Sequence, residues 1–163
     1  MAVKTKSTNF VGMRTVVQRV SQASVTIDGK EKSKIRQGLL VLLGIGEDDT
    51  QEDIDYLVKK LVNLRIFNDS DGVMNLSVQD IDGDMMVVSQ FTLMGATKKG
   101  NRPSYIRAAR HDISIPLYKA FIRSAEAAMG KEIATGEFGA EMKVSLLNDG
   151  PVTIIMDSKQ KDL

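Results

Sequence analysis

The segment Gly38-Leu-Leu-Val-Leu-Leu-Gly44 constrains the fold of this chain more than any other. A continuous apolar run closed at each end by glycine suits a strand buried on both faces. Such a strand needs a layer above it and another below, and its neighbours in the chain can supply them. Arg14–Ile27 (RTVVQRVSQASVTI) is rich in valine and threonine, with Ala23, Val25 and Ile27 alternating, and is read as two strands or one broken strand. Asp28-Gly29 after it is a hairpin turn signal. Ile54, Leu57, Val58, Leu61 and Val62 recur at helical steps behind Thr50, an N-cap with Asp53 three residues on. After turns at Asn68–Gly72 and Asp82-Gly83, Asp84–Met94 is strand-like, with Met86, Val88, Gln90 and Thr92 on one face and Val87, Ser89, Phe91 and Leu93 on the other. A second helix is expected from about Pro116 to Met129, striped by Leu117, Phe121, Ala125 and Ala128 and stopped by Gly130. An alternating strand Met142-Val144-Leu146, a turn at Asn148-Asp149-Gly150 and a last strand from Pro151 to Met156 follow. The expected class is α/β, with mixed, largely antiparallel sheets and two main helices on one side.

At 163 residues the chain is long enough for one domain to bury roughly 70% of its unfolded surface without staples. With no cysteine, disulfides, thiolate nucleophiles and cysteine-based zinc sites are excluded, and the single histidine, His111, excludes any site that needs two. Nucleotide-binding and metalloprotease signatures are missing, so neither a metal nor a cofactor is expected. The longest apolar run, Leu39 to Leu43, falls far short of the ~20 residues that cross a bilayer, so no membrane is expected. No apolar stretch follows the lysines of the N-terminus, and the cytoplasm is the default location.

Charge is balanced overall, with 22 Lys+Arg against 21 Asp+Glu, but it is segregated along the chain. Glu47 to Asp55 holds six acids and no base, which suits a helix entry where the dipole favours negative charge. Met94 to His111 holds Lys98, Lys99, Arg102, Arg107 and Arg110 and no acid. That run is either a solvated loop or a phosphate-binding surface.

Three polar clusters remain as candidates for chemistry: Ser89-Gln90-Phe91-Thr92, the basic loop, and Asn148-Asp149-Gly150-Pro151. A hydroxyl in the first has few candidate bases in a chain with one histidine. Together with MRTVVQRVSQASVTIDG from Met13, GLLVLLGI from Gly38, LVNLRIF from Leu61, SQFTL from Ser89, KKGNRPS from Lys98 and FGAEMKVSLLNDGPVT from Phe138, these clusters resemble the D-aminoacyl-tRNA deacylase family, block by block and in order. The resemblance implies a D-tyrosyl-tRNA deacylase-like layered fold. It also implies a homodimer that hydrolyses the ester joining a D-amino acid, or mischarged glycine, to the terminal adenosine of tRNA.

In that family the Gly-Pro peptide, here Gly150-Pro151, is cis and reaches into the other subunit's active site. A backbone filter there would reject L-amino acids by clash while ignoring the side chain. Ser89, Gln90, Phe91 and Thr92 carry over as the segment that holds the terminal adenosine and the scissile ester, with N–H groups near Phe91 facing the developing oxyanion. Either the Thr92 hydroxyl or the tRNA's own 2′-OH drives the attack. Phe138 and Met142 would line the pocket with Ala108 at its border, unless they are plain core. Lys98, Lys99, Arg102 and Arg107 would lie along the acceptor stem, steering without reading bases.

The resemblance spans about Met13 to Ser158, leaving residues 1–12 as an N-terminal extension and 159–163 as a polar tail. Two other readings stand beside it: a catalytically silent dimer that binds RNA ends, and a small-ester hydrolase that uses Thr92.

Overall fold

The computed structural model describes residues 11–163, so most of the N-terminal extension lies outside the described residues. In chain order the elements are β1 (Arg14–Ile27), β2 (Lys30–Ile35), β3 (Gly38–Gly44), α1 (Gln51–Asn63), β4 (Phe67–Asn68), β5 (Met74–Leu76), β6 (Asp84–Ser89), α2 (His111–Met129), β7 (Ala134–Thr135) and β8 (Lys143–Asp157). A short 3₁₀ turn, Phe91–Met94, follows β6.

β3 is central, antiparallel to β1 and parallel to β6, and is buried on both faces as its composition requires. Leu39, Val41 and Leu43 pack with Ile54, Leu57, Leu61, Phe121 and Ala125 under both helices. Leu40 faces the opposite side with Val20, Val25, Met86 and Val88. The sheet runs β2-β1-β3-β6-β7, with β8 along the other edge of β1. It curls until β7 returns to β2, where the Ser33 hydroxyl donates to the Thr135 carbonyl at 2.7 Å.

β1 is one strand, and the break in its pattern is a pair of register shifts against β8 on either side of Val20. There its inward set changes layer, from Val17 under the helices to Val20 and Val25 in the curl. Asp28 and Gly29 close the hairpin with φ of 51° and 76°, the left-handed pair such a turn needs.

α1 begins as expected, with Asp53 Oδ2 accepting from the Thr50 N–H at 2.8 Å. α2 begins five residues before the expected Pro116, with Ile113 and Ser114 N–H groups donating to the Arg110 carbonyl at 2.9 and 2.8 Å. Pro116 therefore sits just past the first turn and removes the bond to the Asp112 carbonyl, a cost offset by burial of Tyr118, Phe121 and Ala125. Gly130 ends α2 in the left-handed region, as expected.

Of the polar tail expected at 159–163, Lys159 and Lys161 are docked, and Ser158 before it is buried. Lys159 Nζ lies 2.8 Å from Asp49 Oδ1 and 3.2 Å from Asp53 Oδ1, and Lys161 sits 4.5 Å over the Tyr56 ring. The Ser158 hydroxyl donates to Asp53 Oδ1 at 2.6 Å, while the buried Asp157 carboxylate accepts from Gly12 N–H and Arg14 Nε. Burial raises the Asp49 pKa despite the hydrogen bonds from Lys159 and Gly46. Burial also pushes Asp53 upward, but the bonds from Ser158, Thr50 and Lys159 outweigh it and the net shift is downward. Lys159 is raised, its desolvation outweighed by the two carboxylates. By linkage, the Lys159 contribution is full below its ordinary pKa of 10.5 and lost as pH rises through the raised folded value. The Asp53 contribution is present above 3.8 and lost as pH falls through its lowered one.

Lys159→Met strands the Asp49 carboxylate, whose side chain is 1% exposed, and is expected to cost about 3 kcal/mol and lower Tm by roughly 6–12 °C at neutral pH. Adding Asp49→Asn should return part of that loss. A single variant melting like the parent would show that the clamp contributes nothing.

Candidate active site

β6 stops at Ser89, five residues short of the strand expected from alternation. Its core part, Met85 to Val88, is buried on both faces. Beyond it the Gln90 N–H makes a last bond to the Leu43 carbonyl at 2.8 Å, and Leu93 and Gly95 N–H groups fold back to the Gln90 and Thr92 carbonyls. Gly44, at the end of β3, makes the turn possible. A Cβ there would lie 3.0 Å from Leu93 Cβ and 3.2 Å from the Gln90 carbonyl, so a larger residue would push the turn off the sheet.

The turn borders a cavity of about 650 Å³. Ser89, Gln90 and Phe91 line one side, Tyr105 and Ala108 of the loop before α2 another, and His111, Phe138 and Met142 the rest. Aromatic contacts fix the walls: Phe91 meets Tyr105 edge-on at 5.0 Å, and His111 meets Phe138 at 5.5 Å. Behind Phe138, the Tyr118 hydroxyl donates to the Val87 carbonyl at 3.1 Å, and burial pushes its pKa up to about 12. It stays a neutral donor that ties α2 to β6. The N–H groups of Phe91 and Thr92 start the 3₁₀ turn, outside its own ladder, and no backbone acceptor takes either among the described residues. Of the two, that of Phe91 belongs to a lining residue and is the donor available to an oxyanion at this wall.

Six of the expected site residues thus meet in one cavity: Ser89, Gln90, Phe91, Ala108, Phe138 and Met142. Thr92 does not line it. Its exposed hydroxyl accepts a short hydrogen bond of 2.5 Å from the Gln90 side-chain amide. Lys98, Lys99 and Arg102 are exposed around the tip of a loop pinned at its base by the paired Ala96 and Ser104 backbones. Arg107 is partly buried, with Nη2 donating to the Gly95 carbonyl at 3.2 Å, so it braces that loop.

Gly150 and Pro151 do not line their own chain's cavity. β8 leaves its register there: Asn148 pairs with Val20 and Thr153 with Gln18, so the residues between them swell outward, with Asp149, Gly150 and Pro151 exposed and the Gly150-Pro151 peptide cis. The loop is held on both sides. Asn148 Oδ1 accepts from the Val152 N–H at 2.9 Å, and Arg19 Nε donates to the Asp149 carbonyl at 2.7 Å. Arg19 is 7% exposed and spends Nη1 on the Ile66 carbonyl at 2.8 Å.

Arg19 was missed in the sequence because an arginine within an alternating strand reads as a solvated position. Tyr105 and His111 were missed as wall residues too. The first directly follows the KKGNRPS block, and the second is the sole histidine, so each carried a faint signal.

The fold and the cavity together define a class. Residues 16–157 match the family model described as D-Tyr-tRNA(Tyr) deacylase. A D-aminoacyl-tRNA deacylase of Flavobacterium johnsoniae is 62% identical over 150 residues, 92% of this chain and 100% of the relative. One of Parabacteroides distasonis is 63% identical over the same shares. A solved structure titled c-Myc DNA Unwinding Element Binding Protein is 40% identical with a TM-score of 0.84, covering 88% of this chain and 97% of that one. Another, titled as a probable eukaryotic D-amino acid tRNA deacylase, is 19% identical with a TM-score of 0.78 and speaks to the fold alone. The protein is an enzyme of the hydrolase class. It belongs to the D-aminoacyl-tRNA deacylase family. Among the described residues no helix is long and apolar enough to cross a membrane.

Proposed function

We propose that this chain hydrolyses the ester between a D-amino acid, or mischarged glycine, and the terminal adenosine of tRNA, releasing free amino acid and tRNA as a cytoplasmic proofreading step. The observation that carries the proposal is a cavity of about 650 Å³ at the carboxyl end of β6, lined by Phe91, whose N–H has no backbone acceptor among the described residues. In this reading the terminal adenosine and ester lie against Ser89, Gln90 and Phe91, and the Phe91 N–H holds the oxyanion that forms as the ester carbon is attacked. Gln90, occupied with Thr92, orients rather than ionises. The 2′-OH of the adenosine drives the attack, because Thr92 is not among the lining residues and its hydroxyl has no base beside it, only the Gln90 amide.

The active unit is a homodimer. The Gly150-Pro151 loop of one copy closes the cavity of the other and sterically excludes the L configuration, a role supported by its outward position and its firm hold by Arg19 and Asn148. Lys98, Lys99 and Arg102 lie along the phosphates entering the cavity.

Filling the cavity tests the placement. Ala108→Trp is expected to lower kcat/KM for D-tyrosyl-tRNA by about a hundredfold while tRNA affinity holds, because the basic loop is untouched. Full activity in that variant would put the chemistry elsewhere. Lys98→Ala with Lys99→Ala should flatten the slope of log affinity against log salt by about 1.4 to 1.8, two phosphate contacts' worth. An unchanged slope would remove both lysines from the interface.

A second reading, nucleic-acid binding without hydrolysis, draws on the DNA-binding activity for which the 40% identical structure is named. It predicts that tRNA is retained and no amino acid is released.

A further inference from the structure

Three large hydrophobic side chains in the cavity wall or adjoining it in sequence are exposed without belonging to either core: Phe91 at 57%, Tyr105 at 38% and Ile106 at 81%. Phe91 and Tyr105 line the cavity, and Tyr105 and Ile106 belong to the cation-bearing segment. Tyr105 lines the cavity itself, whereas Ile106 lies next to it in sequence, outside the lining.

The position of Tyr105 is rigidly set. Its ring meets Phe91 at 5.0 Å with an interplanar angle of 74°. On another side it lies against Gly95, where a Cβ would come within 3.2 Å of Tyr105 Cε1. The paired Ala96 and Ser104 backbones, at 2.7 and 2.9 Å, and the Arg107 brace to the Gly95 carbonyl hold the segment that carries it. A large ring fixed in advance and open to solvent loses little freedom when something packs on it.

The surrounding charge selects what that something is. Between Met94 and His111 there is no acid, and Lys98, Lys99 and Arg102 reach out from the same loop. Exposed aromatic surface beside a purely cationic loop is the combination that binds single-stranded nucleic acid, since phosphates take the cations and bases stack on the rings.

We propose that Tyr105, with Ile106 beside it, is the stacking platform for the nucleobase that immediately precedes the terminal adenosine. This rests on the deacylase reading above, in which the adenosine occupies the cavity. The base before it must then leave across the rim, where Tyr105 stands, while its phosphate runs toward Lys98, Lys99 and Arg102. Tyr105 is a positioning residue: it orders the single-stranded end and touches none of the reacting atoms.

The test compares two substrates, D-tyrosyl-adenosine and a trinucleotide ending in the same D-tyrosyl-adenosine. Tyr105→Leu preserves bulk against Gly95 and Phe91 but removes the π face. It is expected to lose about tenfold more in kcat/KM on the trinucleotide than on the nucleoside, with the extra loss in KM. Tyr105→Phe should keep the parent's ratio between the two substrates, and Ile106→Ala should shift that ratio in the same direction as Tyr105→Leu but less. Equal losses on both substrates would overturn the proposal and leave Tyr105 as a prop for Phe91. No loss on either would overturn it as well. If the unaltered protein released tyrosine from neither substrate, the deacylase reading itself would fall, an outcome separable from the other two.

Discussion

Replacing the 2′-hydroxyl of the terminal adenosine by hydrogen is expected to slow release of D-tyrosine by about a thousandfold, whereas Thr92→Val slows it by no more than about tenfold. The asymmetry follows from where the hydroxyls lie. The Thr92 hydroxyl takes a hydrogen bond from the Gln90 amide, which can donate to it but cannot remove its proton at neutral pH. The single histidine is stacked edge-on against Phe138 across the cavity wall, and Thr92 is absent from the lining. A hydroxyl carried by the substrate arrives beside the ester at high effective concentration and needs only a position and a place for the developing negative charge. Single-turnover release from matched 2′-hydroxyl and 2′-deoxy substrates measures the first effect, and the variant on the ordinary substrate measures the second. A thousandfold loss in Thr92→Val with an intact deoxy rate would make Thr92 the nucleophile and return the small-ester hydrolase reading.

The next largest effect is a gain. Ala108→Trp blocks the cavity, and Arg19→Ala unpins the Asp149 carbonyl that holds the Gly150-Pro151 loop. Each variant alone is expected to be nearly inactive. If the loop of one copy completes the cavity of the other, a heterodimer of the two has one sound site, built from the Ala108 cavity of one chain and the Arg19-braced loop of the other. The purified mixed dimer should then recover about half of the parent's activity, since one of its two sites is whole. Coexpression with two tags, followed by assay of the doubly purified species, measures this. A mixed species as inactive as its parents would place loop and cavity in the same chain.

How much of this was legible in the sequence differs by element. β3, the α1 cap and stripe, the Asp28-Gly29 turn and the Gly130 stop were legible because each is set by nearby residues: two flanking glycines, Thr50 with Asp53, a left-handed pair, a left-handed cap. The end of β6 was not, because Gln90 and Thr92 continue the alternation of Met86 and Val88, and the strand stops for a reason on another strand, the close approach to Gly44. The start of α2 was misplaced because proline favours a first turn, whereas packing of Tyr118 and Phe121 carries the helix back to His111. The docked end of the chain was hidden for a related reason. Lys159 reads as a tail residue until the fold brings Asp49 and Asp53 to it across more than a hundred positions.

Within the site, the contiguous Ser89-Gln90-Phe91 wall was legible, since one short segment supplies it. What the sequence could not convey was direction. Thr92 leaves the lining where the backbone coils after Ser89, and Arg19, which continues the inward set of Thr15 and Val17, meets the Asp149 and Ile66 carbonyls that only the fold brings to it.

The central claim is that this chain removes D-amino acids from tRNA and spares L-amino acids. The most direct measurement is release of amino acid from matched D-tyrosyl-tRNA and L-tyrosyl-tRNA at low enzyme concentration. Rapid loss of the D form with the L form intact is the predicted result. Equal loss of both would contradict the filter assigned to Gly150 and Pro151, and retention of both esters with tRNA still bound would contradict the hydrolysis itself.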